Sequence, residues 1–333
     1  MSINPVEIPT GAVRYNTDSN KMEVYVGDTW MEVAVSSPNL DGGGRGLVMA
    51  GNTPDQTNII QFITISTAGN SQDFGDLTAL IQSGPGATGS STRGLLGGGQ
   101  QWPALSNKID FVTFSTTSNA IDFGDLTVAR RNLIGNGNET RGVFAGGNAD
   151  PSLQDVIDFV TIASTGNAVD FGNLTSSRKQ LGGNASSPTR GLFYGGDTGS
   201  FTNVIDFISI PTTGNAQDFG DLIAAIIENK GASSSTRALM MGGYISPANV
   251  NTIQFVTITT LGNAQNFGDL TETVTNAQPA SDCVRGLRMG GGNGNTNVID
   301  YILIATEGDA VDFGDLITGQ GEGAGCSNAH GGL

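Results

Sequence analysis

Histidine and cysteine are almost missing from this chain, which has one histidine and two cysteines in 333 residues. A structural zinc site takes about four His or Cys ligands, and a Ser-His-Asp triad would have to use the single histidine, His330. Two cysteines, Cys283 and Cys326, do not make a disulfide framework, so we expect two free buried thiols. These shortages argue against zinc chemistry and against nucleophilic catalysis.

Positive charge is also scarce, because 15 Lys and Arg stand against 31 Asp and Glu, a formal net charge of -16. Nucleic acids and anionic membranes bind basic patches, so neither is expected as a partner. No apolar run approaches the ~18 residues of a membrane span. Residues 1–10 contain neither the basic nor the apolar region of a signal peptide. We therefore expect a chain made in a cytoplasm, with no membrane insertion.

Glycine is abundant, with 50 residues, and its positions reveal a sequence unit that occurs six times. Each unit opens with an arginine followed by an apolar, glycine-rich run, at Arg45, Arg93, Arg141, Arg190, Arg237 and Arg285. Strand-rich repeats of about 48 residues are typical of β-propellers. The sequence therefore predicts an all-β protein in which residues 45–333 form a six-bladed β-propeller.

One unit, residues 141–189, shows four expected strands. The first is the apolar run 142–147, and the second is 156–163, which is apolar on both faces and hence buried on both. A tight turn precedes the third strand, 168–174, whose Phe-Gly pair predicts a β-bulge or a close backbone contact at the glycine. The small residues 181–187 suit an innermost strand where blades crowd together.

The two ends of the repeat array also carry information. The first unit has no small-residue strand before it, whereas residues 323–330 at the C-terminal end look like that strand. We expect the C-terminal strand to pair with the first unit and close the ring. The variable loops that follow each glycine pair, such as residues 148–154, are the natural place for recognition.

The first 44 residues differ from the repeats. Turn signals around residues 17–20 and at Gly27-Asp28 separate three short alternating strands, which predicts a small β-meander over residues 1–36. Such a meander is too small to be stable alone, so we expect an anchoring or oligomerisation module. Residues 37–44, with Pro38 and three glycines, are the expected linker.

Pairs of acids recur in the third strand of each unit. They are Asp73 with Asp76, Asp122 with Asp125, Asp170 with Asn173, Asp218 with Asp221, Asn266 with Asp269, and Asp312 with Asp315. Hydrogen bonding at a bulged strand end, weak Ca²⁺ binding and acid-base catalysis are the alternatives. Catalysis needs one asymmetric constellation rather than six near-copies, so we expect no enzyme and no cofactor, with weak Ca²⁺ binding left open.

The six repeat arginines are expected to be structural. An aspartate lies within the long second strand of four units, at Asp110, Asp158, Asp206 and Asp300. A buried Arg-carboxylate pair would satisfy both groups. The first and fifth units carry Gln61 and Gln254 instead, so a carboxylate of the third strand or a backbone carbonyl is an equally good partner. Ligand binding in the central channel is the remaining alternative.

Three aromatic residues lie in or beside the variable loops: Trp102, Phe201 and Tyr244. Exposed aromatic rings in such loops stack on sugars, whereas packing under the loop is the simpler interpretation. They are the only candidates for a binding site that the sequence offers, and metal ligands and catalytic residues are not expected.

The repeat resembles known families. A Gly-Gly after an apolar run, then a loop and a long strand, is similar to kelch repeats, although most units lack the kelch Tyr and Trp. The motif IDFVTIASTGNAVDF in residues 157–171, with later SSTRGL-type segments, resembles repeat proteins of tailed, especially marine and cyanobacterial, bacteriophages. The segment GAVRYNT…NKMEVYVGDTWMEV resembles a module of phage tail-fibre and other virion appendage proteins.

These resemblances imply a non-enzymatic structural protein of the virion, made in the host cytoplasm. It would be displayed on a tail, fibre, baseplate or capsid exterior as an attachment or decoration protein. Residues 1–40 would contact other virion proteins or form a homotrimer, and the loops would contact a protein or glycan of the host surface. A lectin-like receptor-binding protein and a cellular kelch-like interaction scaffold are the alternatives.

Overall fold

The computed structural model describes residues 8–16, 21–32, 43–292 and 294–333. The chain divides into two compact units, residues 1–40 and 41–333. All regular structure in the described ranges is antiparallel β, and they contain no helix long and apolar enough to cross a bilayer. The all-β class is therefore confirmed. The predicted turn at residues 17–20 and most of the expected linker fall outside the described residues.

The compact unit of residues 1–40 contains a three-stranded antiparallel meander in the order β1-β2-β3. Its strands are β1 (Val13–Asn16), β2 (Lys21–Val26) and β3 (Thr29–Glu32). The turn between β2 and β3 has positive φ at both Gly27 and Asp28. That conformation gives a two-residue hairpin loop the twist of its flanking strands, which explains why Gly-Asp occurs there.

The compact unit of residues 41–333 contains six four-stranded antiparallel sheets, here called sheets I to VI, and one short ribbon. Listed from the innermost strand outwards, sheet I is β29 (Ala324–Ser327), β4 (Arg45–Met49), β5 (Thr57–Thr64), β6 (Gln72–Ile81); sheet II is β7 (Gly86–Gly89), β8 (Arg93–Gly97), β11 (Lys108–Thr113), β12 (Ile121–Asp125); sheet III is β13 (Ile134–Gly137), β14 (Arg141–Ala145), β15 (Val156–Thr161), β16 (Val169–Asn173). Sheet IV is β17 (Gly182–Ser186), β18 (Arg190–Tyr194), β19 (Val204–Ser209), β20 (Gln217–Asp221); sheet V is β21 (Lys230–Ser233), β22 (Arg237–Ile245), β23 (Ala248–Thr257), β24 (Gln265–Asp269); sheet VI is β25 (Gln278–Ser281), β26 (Arg285–Met289), β27 (Val298–Leu303), β28 (Val311–Asp315). The ribbon pairs β9 (Gln100–Gln101) with β10 (Ala104–Leu105).

The sheets follow one another in a cyclic order. Each innermost strand contacts the innermost strand of the next sheet, and β29 of sheet I contacts both β7 of sheet II and β25 of sheet VI. Six hydrophobic clusters fill the spaces between neighbouring sheets. Burial on both faces explains why β5 and its equivalents are apolar on both sides.

Small residues allow the innermost strands to approach one another. A Cβ atom added at Gly135 of β13 would lie 2.0 Å from the carbonyl oxygen of Ala87 in β7. One added at Gly325 of β29 would lie 2.3 Å from the carbonyl oxygen of Pro279 in β25. No side chain fits at such distances, so glycine at these positions is a steric requirement of the contact between sheets.

The glycine of the third-strand motif marks both features that the sequence predicts for it. The register of β15 and β16 shifts between Ile157 and Asp158, opposite Gly172. Gly172 has φ +146, and a Cβ there would lie 2.5 Å from the carbonyl oxygen of Gly214 in the next sheet. The predicted bulge and the predicted close contact are both present.

Each sheet combines strands from two sequence units. The small-residue strand that ends one unit pairs with the arginine strand of the next, so β17 lies beside β18 rather than beside β16. Sheet I has no preceding unit and takes β29 from the C-terminal segment, with Ala324 opposite Met49 and Ser327 opposite Gly46. This pairing joins the two ends of residues 45–333.

Deletion of residues 322–333 is expected to lower the free energy of unfolding strongly. It removes four paired residues from β4, at about 1 kcal/mol per lost hydrogen bond, and it exposes a strand edge. Chemical denaturation checks this. A chain shortened only after Asn328 retains β29 and is the control; equal stability of the two shortened chains would contradict the prediction.

Candidate functional site

The repeat arginines connect each sheet to the next one. Five guanidinium groups donate from Nη1 to a backbone carbonyl of the following sheet at 2.8–3.0 Å, and Arg45 donates to the carbonyl of Phe114 in the same way. The five pairs are Arg93 with Ile162, Arg141 with Ile210, Arg190 with Ile258, Arg237 with Ile304, and Arg285 with Ile65. The last pair connects sheet VI to sheet I, which repeats the cyclic order.

The same guanidinium groups lie over an aromatic ring of their own sheet, with Cζ 4.6–5.1 Å from the ring centre. The pairing of these arginines with long-strand aspartates, one alternative that the sequence left open, does not occur. The backbone-carbonyl alternative is the one observed. Each arginine stands at the start of its strand, and its side chain extends towards the next sheet. It therefore points away from the aspartate of its own sheet.

The long-strand aspartates accept hydrogen bonds from the preceding sheet. In each case the donor is the hydroxyl of the threonine that follows the third strand's Asp/Asn-Leu pair, at 2.6–2.8 Å. The pairs are Thr78 with Asp110, Thr127 with Asp158, Thr175 with Asp206, and Thr271 with Asp300. These bonds are a second connection between neighbouring sheets.

Three arginines that the sequence analysis did not single out neutralise three of these carboxylates. Arg130 lies 3.0 Å from Asp158, Arg178 lies 2.9 Å from Asp206, and Arg288 lies 2.5 Å from Asp300. All six side chains are buried. Burial lowers the pKa of Arg130 and Arg178, and the neighbouring aspartate opposes that shift.

Asp110 differs from the other three because no arginine reaches it. Ile81 stands in sheet I at the position that Arg130 and Arg178 occupy in sheets II and III. Burial raises the pKa of Asp110, and the two hydrogen bonds from Thr78 only partly oppose it. The fold therefore disfavours the ionised form of Asp110.

The choice of aspartate or glutamine follows the residue that faces it across the sheets. Opposite the four aspartates stand four threonines, whereas Gln254 accepts from the backbone N–H of Ile223 and Gln61 from that of Ile317. The first and fifth units carry glutamine. The sheets that face them belong to the sixth and fourth units, and these two units carry isoleucine in place of threonine. This covariation within a single sequence was the signal that could have identified the contact.

The axis of the six sheets does not hold a ligand-sized site. The innermost strands of all six sheets line a cavity of about 20 Å³, which has room for about one water molecule. None of the repeat arginines lines it, and ligand binding by these arginines in a channel stays a prediction.

His330 lies beyond the closing strand rather than within it. One ring nitrogen, Nε2, lies 2.9 Å from the carbonyl oxygen of Gly89 in sheet II, and the N–H of Gly332 donates to the other, Nδ1, at 3.1 Å. Burial lowers the pKa of His330. Cys283 and Cys326 are free thiols, and burial raises the pKa of Cys326 to about 12, which makes it a poor nucleophile.

The paired acids of the third strands are anchored through their backbone. The N–H of Asp125 donates to the side-chain Oδ1 of Asn167 in the next sheet, at 3.1 Å. Equivalent bonds occur in all six sheets, the last from Asp315 to Asn70 of sheet I. No group of three or more His, Cys, Asp or Glu side chains that could hold a metal occurs among the described residues. Weak Ca²⁺ binding stays a prediction.

The candidate aromatic residues fall into two classes. Phe201 of sheet IV and Tyr244 of sheet V pack edge to face, with ring centres 5.9 Å apart, so these two rings support the loops. Trp102 lies between β9 and β10 at the tip of the ribbon and is 71% exposed. Large aromatic side chains are seldom this exposed without a partner, which makes Trp102 the leading candidate for a contact.

A repeated cavity that the sequence did not indicate lies at the hairpin between the two outermost strands of a sheet, such as β19 and β20. Its volume is about 250 Å³ in sheet IV, 180 Å³ in sheet V and 170 Å³ in sheet VI. An aromatic ring lines each one, Phe207, Phe255 or Tyr301, together with threonine hydroxyls and the glycine of the turn. Side-chain amides complete the lining in sheets IV and V, whereas Glu307 and Asp309 do so in sheet VI. Aromatic faces beside such polar groups suit a hydroxylated ligand.

Asp110→Asn is expected to make stability less dependent on pH. A raised pKa means that folded protein binds more protons than unfolded protein from the ordinary pKa of 3.8 up to the raised value. The free energy of unfolding therefore falls as pH rises through that window. Asparagine does not titrate, so the variant does not lose this part of its stability. Urea denaturation between about pH 3 and pH 7 checks it.

Asp158→Asn is the matched control. It leaves Arg130 buried without its anion and is expected to cost about 3 kcal/mol at neutral pH. An identical pH dependence of the Asp110→Asn variant and the natural sequence would contradict the assignment of Asp110.

Gln254→Asp is expected to destabilise the protein by about 2 kcal/mol, because a buried carboxylate there meets no threonine hydroxyl and no cation. Adding Ile223→Thr should recover about 1 kcal/mol, measured as the coupling energy of a double-mutant cycle by chemical denaturation. Ile317→Thr makes the same change between two other sheets and should recover nothing. Equal recovery by both threonines would contradict the pairing.

The comparisons with known proteins supply no relative from which a function could be transferred. Neither a protein-family model nor a curated protein matches this chain.

Proposed function

We propose that residues 45–333 form a six-bladed, kelch-like β-propeller closed by β29. The support is the cyclic order of the sheets, which three separate sets of contacts repeat: the innermost strands, the arginine-carbonyl bonds and the asparagine-backbone bonds. Each set returns from sheet VI to sheet I. An antiparallel, radially repeated array of this kind leaves only short, protected strand edges.

The proposed function is that of a non-enzymatic display scaffold, a structural protein on the virion of a tailed phage. The observation that carries the scaffold is the use of the repeated acids and arginines in bonds between sheets, as at Arg130 and Asp158. What differs between units is the loops, and Trp102 is their most exposed aromatic residue. A tail, fibre, baseplate or capsid location rests on the sequence resemblance.

In this proposal the loops contact a protein or glycan of the host surface, and the N-terminal meander contacts other virion proteins, as a homotrimer in the related appendage modules. No cofactor takes part. A cellular kelch-like interaction scaffold is the competing interpretation of the same architecture, and a gene outside a block of virion genes would favour it.

A lectin-like receptor-binding protein is the second candidate, and the repeated hairpin cavities favour it. Three equivalent cavities with an aromatic ring and hydroxyl groups would bind several sugars of one glycan surface at once, and linked weak sites gain avidity without new contacts. Residues 207, 255 and 301 supply the rings.

Mass spectrometry of purified particles whose genome encodes this chain is expected to detect it, and antibody labelling in electron microscopy should place it on the particle surface. A structural protein remains with the particle through purification. Particles that lack the chain would contradict the virion role while leaving the proposed architecture intact.

A glycan array tests the lectin candidate with the purified full chain. Binding that is lost in Trp102→Ala but kept in Ile121→Ala, which removes another exposed apolar side chain, would assign recognition to the ribbon. Binding unaffected by both substitutions would assign it to the hairpin cavities. No binding at millimolar sugar would exclude the lectin.

A further inference from the structure

Residues 328–333, here called the axial plug, lie across one end of the axis and contact all six sheets. At sheet I, the N–H of Arg45 donates to Oδ1 of Asn328 at 2.7 Å, and the N–H of Asn328 donates back to the carbonyl of Arg45 at 3.3 Å. At sheet VI, the thiol of Cys283 donates to the carbonyl of Ala329 at 3.3 Å. These bonds fix the position at which the axial plug begins.

Two glycines bring the axial plug against three more sheets. A Cβ atom added at Gly331 would lie 2.2 Å from the carbonyl oxygen of Ser234, next to sheet V, and 2.6 Å from that of Ser186 in sheet IV. One added at Gly332 would lie 2.1 Å from the carbonyl oxygen of Gly137 in sheet III. No side chain fits at such distances, so this part of the axial plug has to be glycine.

The ring of His330 lines the axial cavity and makes the contact with sheet II. The N–H of Gly332 donates to Nδ1 at 3.1 Å, so Nδ1 acts as an acceptor. A neutral imidazole has one acceptor nitrogen and one N–H. Nε2 therefore holds the ring proton and donates it to the carbonyl of Gly89 at 2.9 Å. A second proton on Nδ1 would set two donors, Nδ1–H and the N–H of Gly332, against each other.

Burial opposes that second proton. It lowers the pKa of His330 by more than the nearby carboxylate of Glu139 raises it. That carboxylate already accepts from the N–H and the hydroxyl of Ser91, at 2.9 and 2.7 Å. The elements that contact the axial plug also carry Asp282, Cys283, Cys326 and the repeat arginines. Asp282 accepts from two backbone N–H groups, burial raises the pKa of both thiols, and the arginines donate to carbonyls of the next sheet. Glu139 is therefore the anion that acts on His330.

We propose that the axial plug is an acid-sensitive closure, which is docked while His330 is neutral and leaves the axis when His330 binds a second proton. The imidazolium ion loses the bond from Gly332 and carries a charge that the buried position disfavours. Release leaves sheet I intact, because β29 ends its pairing at Ser327, before the axial plug. It opens one end of the axial cavity and frees the carbonyl of Gly89 as an acceptor.

Docking is expected to weaken as pH falls. The docked form has a pKa below the ordinary histidine value of 6.5, so between 6.5 and the lowered pKa the released form binds more protons. The equilibrium constant for docking therefore falls by about tenfold per pH unit in that window and is constant above it.

The plug acts independently of the proposed display function. A chain that is absent from the particle, which would contradict that function, could still release the plug in acid. A plug that stays docked in acid would overturn this proposal and leave the display function standing.

His330 is the only histidine of the chain, so ¹⁵N-histidine labelling of the full chain gives one pair of ring-nitrogen signals. At pH 8 we expect NMR to show the proton on Nε2, and we expect a titration midpoint below 6.5. The amides of Gly332 and Leu333, both hydrogen-bonded to His330, should lose their protection from hydrogen exchange at the same midpoint. A proton on Nδ1 at pH 8, or equal protection above and below the midpoint, would overturn the proposal.

Two variants separate His330 from other acid effects. His330→Gln keeps an N–H donor for Gly89 but does not titrate, so the protection of residues 332–333 should no longer depend on pH. Glu139→Gln retains the histidine and removes the carboxylate that favours its charged form, so the midpoint should move to lower pH. Glu307→Gln, the same change in the outer hairpin of sheet VI, is the control and should not move it. Acid release in His330→Gln, or equal midpoints for the two glutamate variants, would overturn the proposal.

Discussion

The hydrogen bond from one sheet to the next is the interaction on which the second unit depends. Each sheet donates a guanidinium N–H and a backbone N–H to acceptors in the next sheet, and both series return from sheet VI to sheet I, as at Arg285 and Asp315. A sheet removed from this cyclic order would leave buried donors on one side and buried acceptors on the other. Because an unsatisfied buried group costs about 1–3 kcal/mol, the six sheets stabilise one another rather than standing as separate units.

This arrangement decides where function can be located. Groups that would look catalytic in isolation, such as a buried carboxylate beside an arginine, recur at equivalent positions and have their bonds directed into the neighbouring sheet. The axis is filled by backbone and small side chains, and its cavity of about 20 Å³ holds no substrate. The loops and the hairpin cavities remain as the surfaces through which the proposed display function would act.

Most of the strand pattern was predictable from sequence, because the six near-copies show the length of the repeat and place glycines at the ends of the strands. The position of β29 and the bulge at Gly172 were predictable for the same reason. The partners of the aspartates were harder to predict, since the facing residues lie about 30 positions apart in different sheets and only the matched choice of Thr with Asp or Ile with Gln indicates them. Trp102, Phe201 and Tyr244 look alike in sequence, and only the packing of the loops separates the exposed ring from the paired ones.

The composite sheet I has a consequence for how the chain acquires its structure during synthesis. Within residues 45–333 the ribosome produces β4, β5 and β6 first, and the inner edge of β4 has no partner until β29 emerges some 240 residues after β6. Open edges pair with whatever strand is near. The innermost strands consist of small residues. The last strand of the chain therefore fits into the narrow space beside its own β4 without displacing side chains, whereas a strand with larger residues does not fit there.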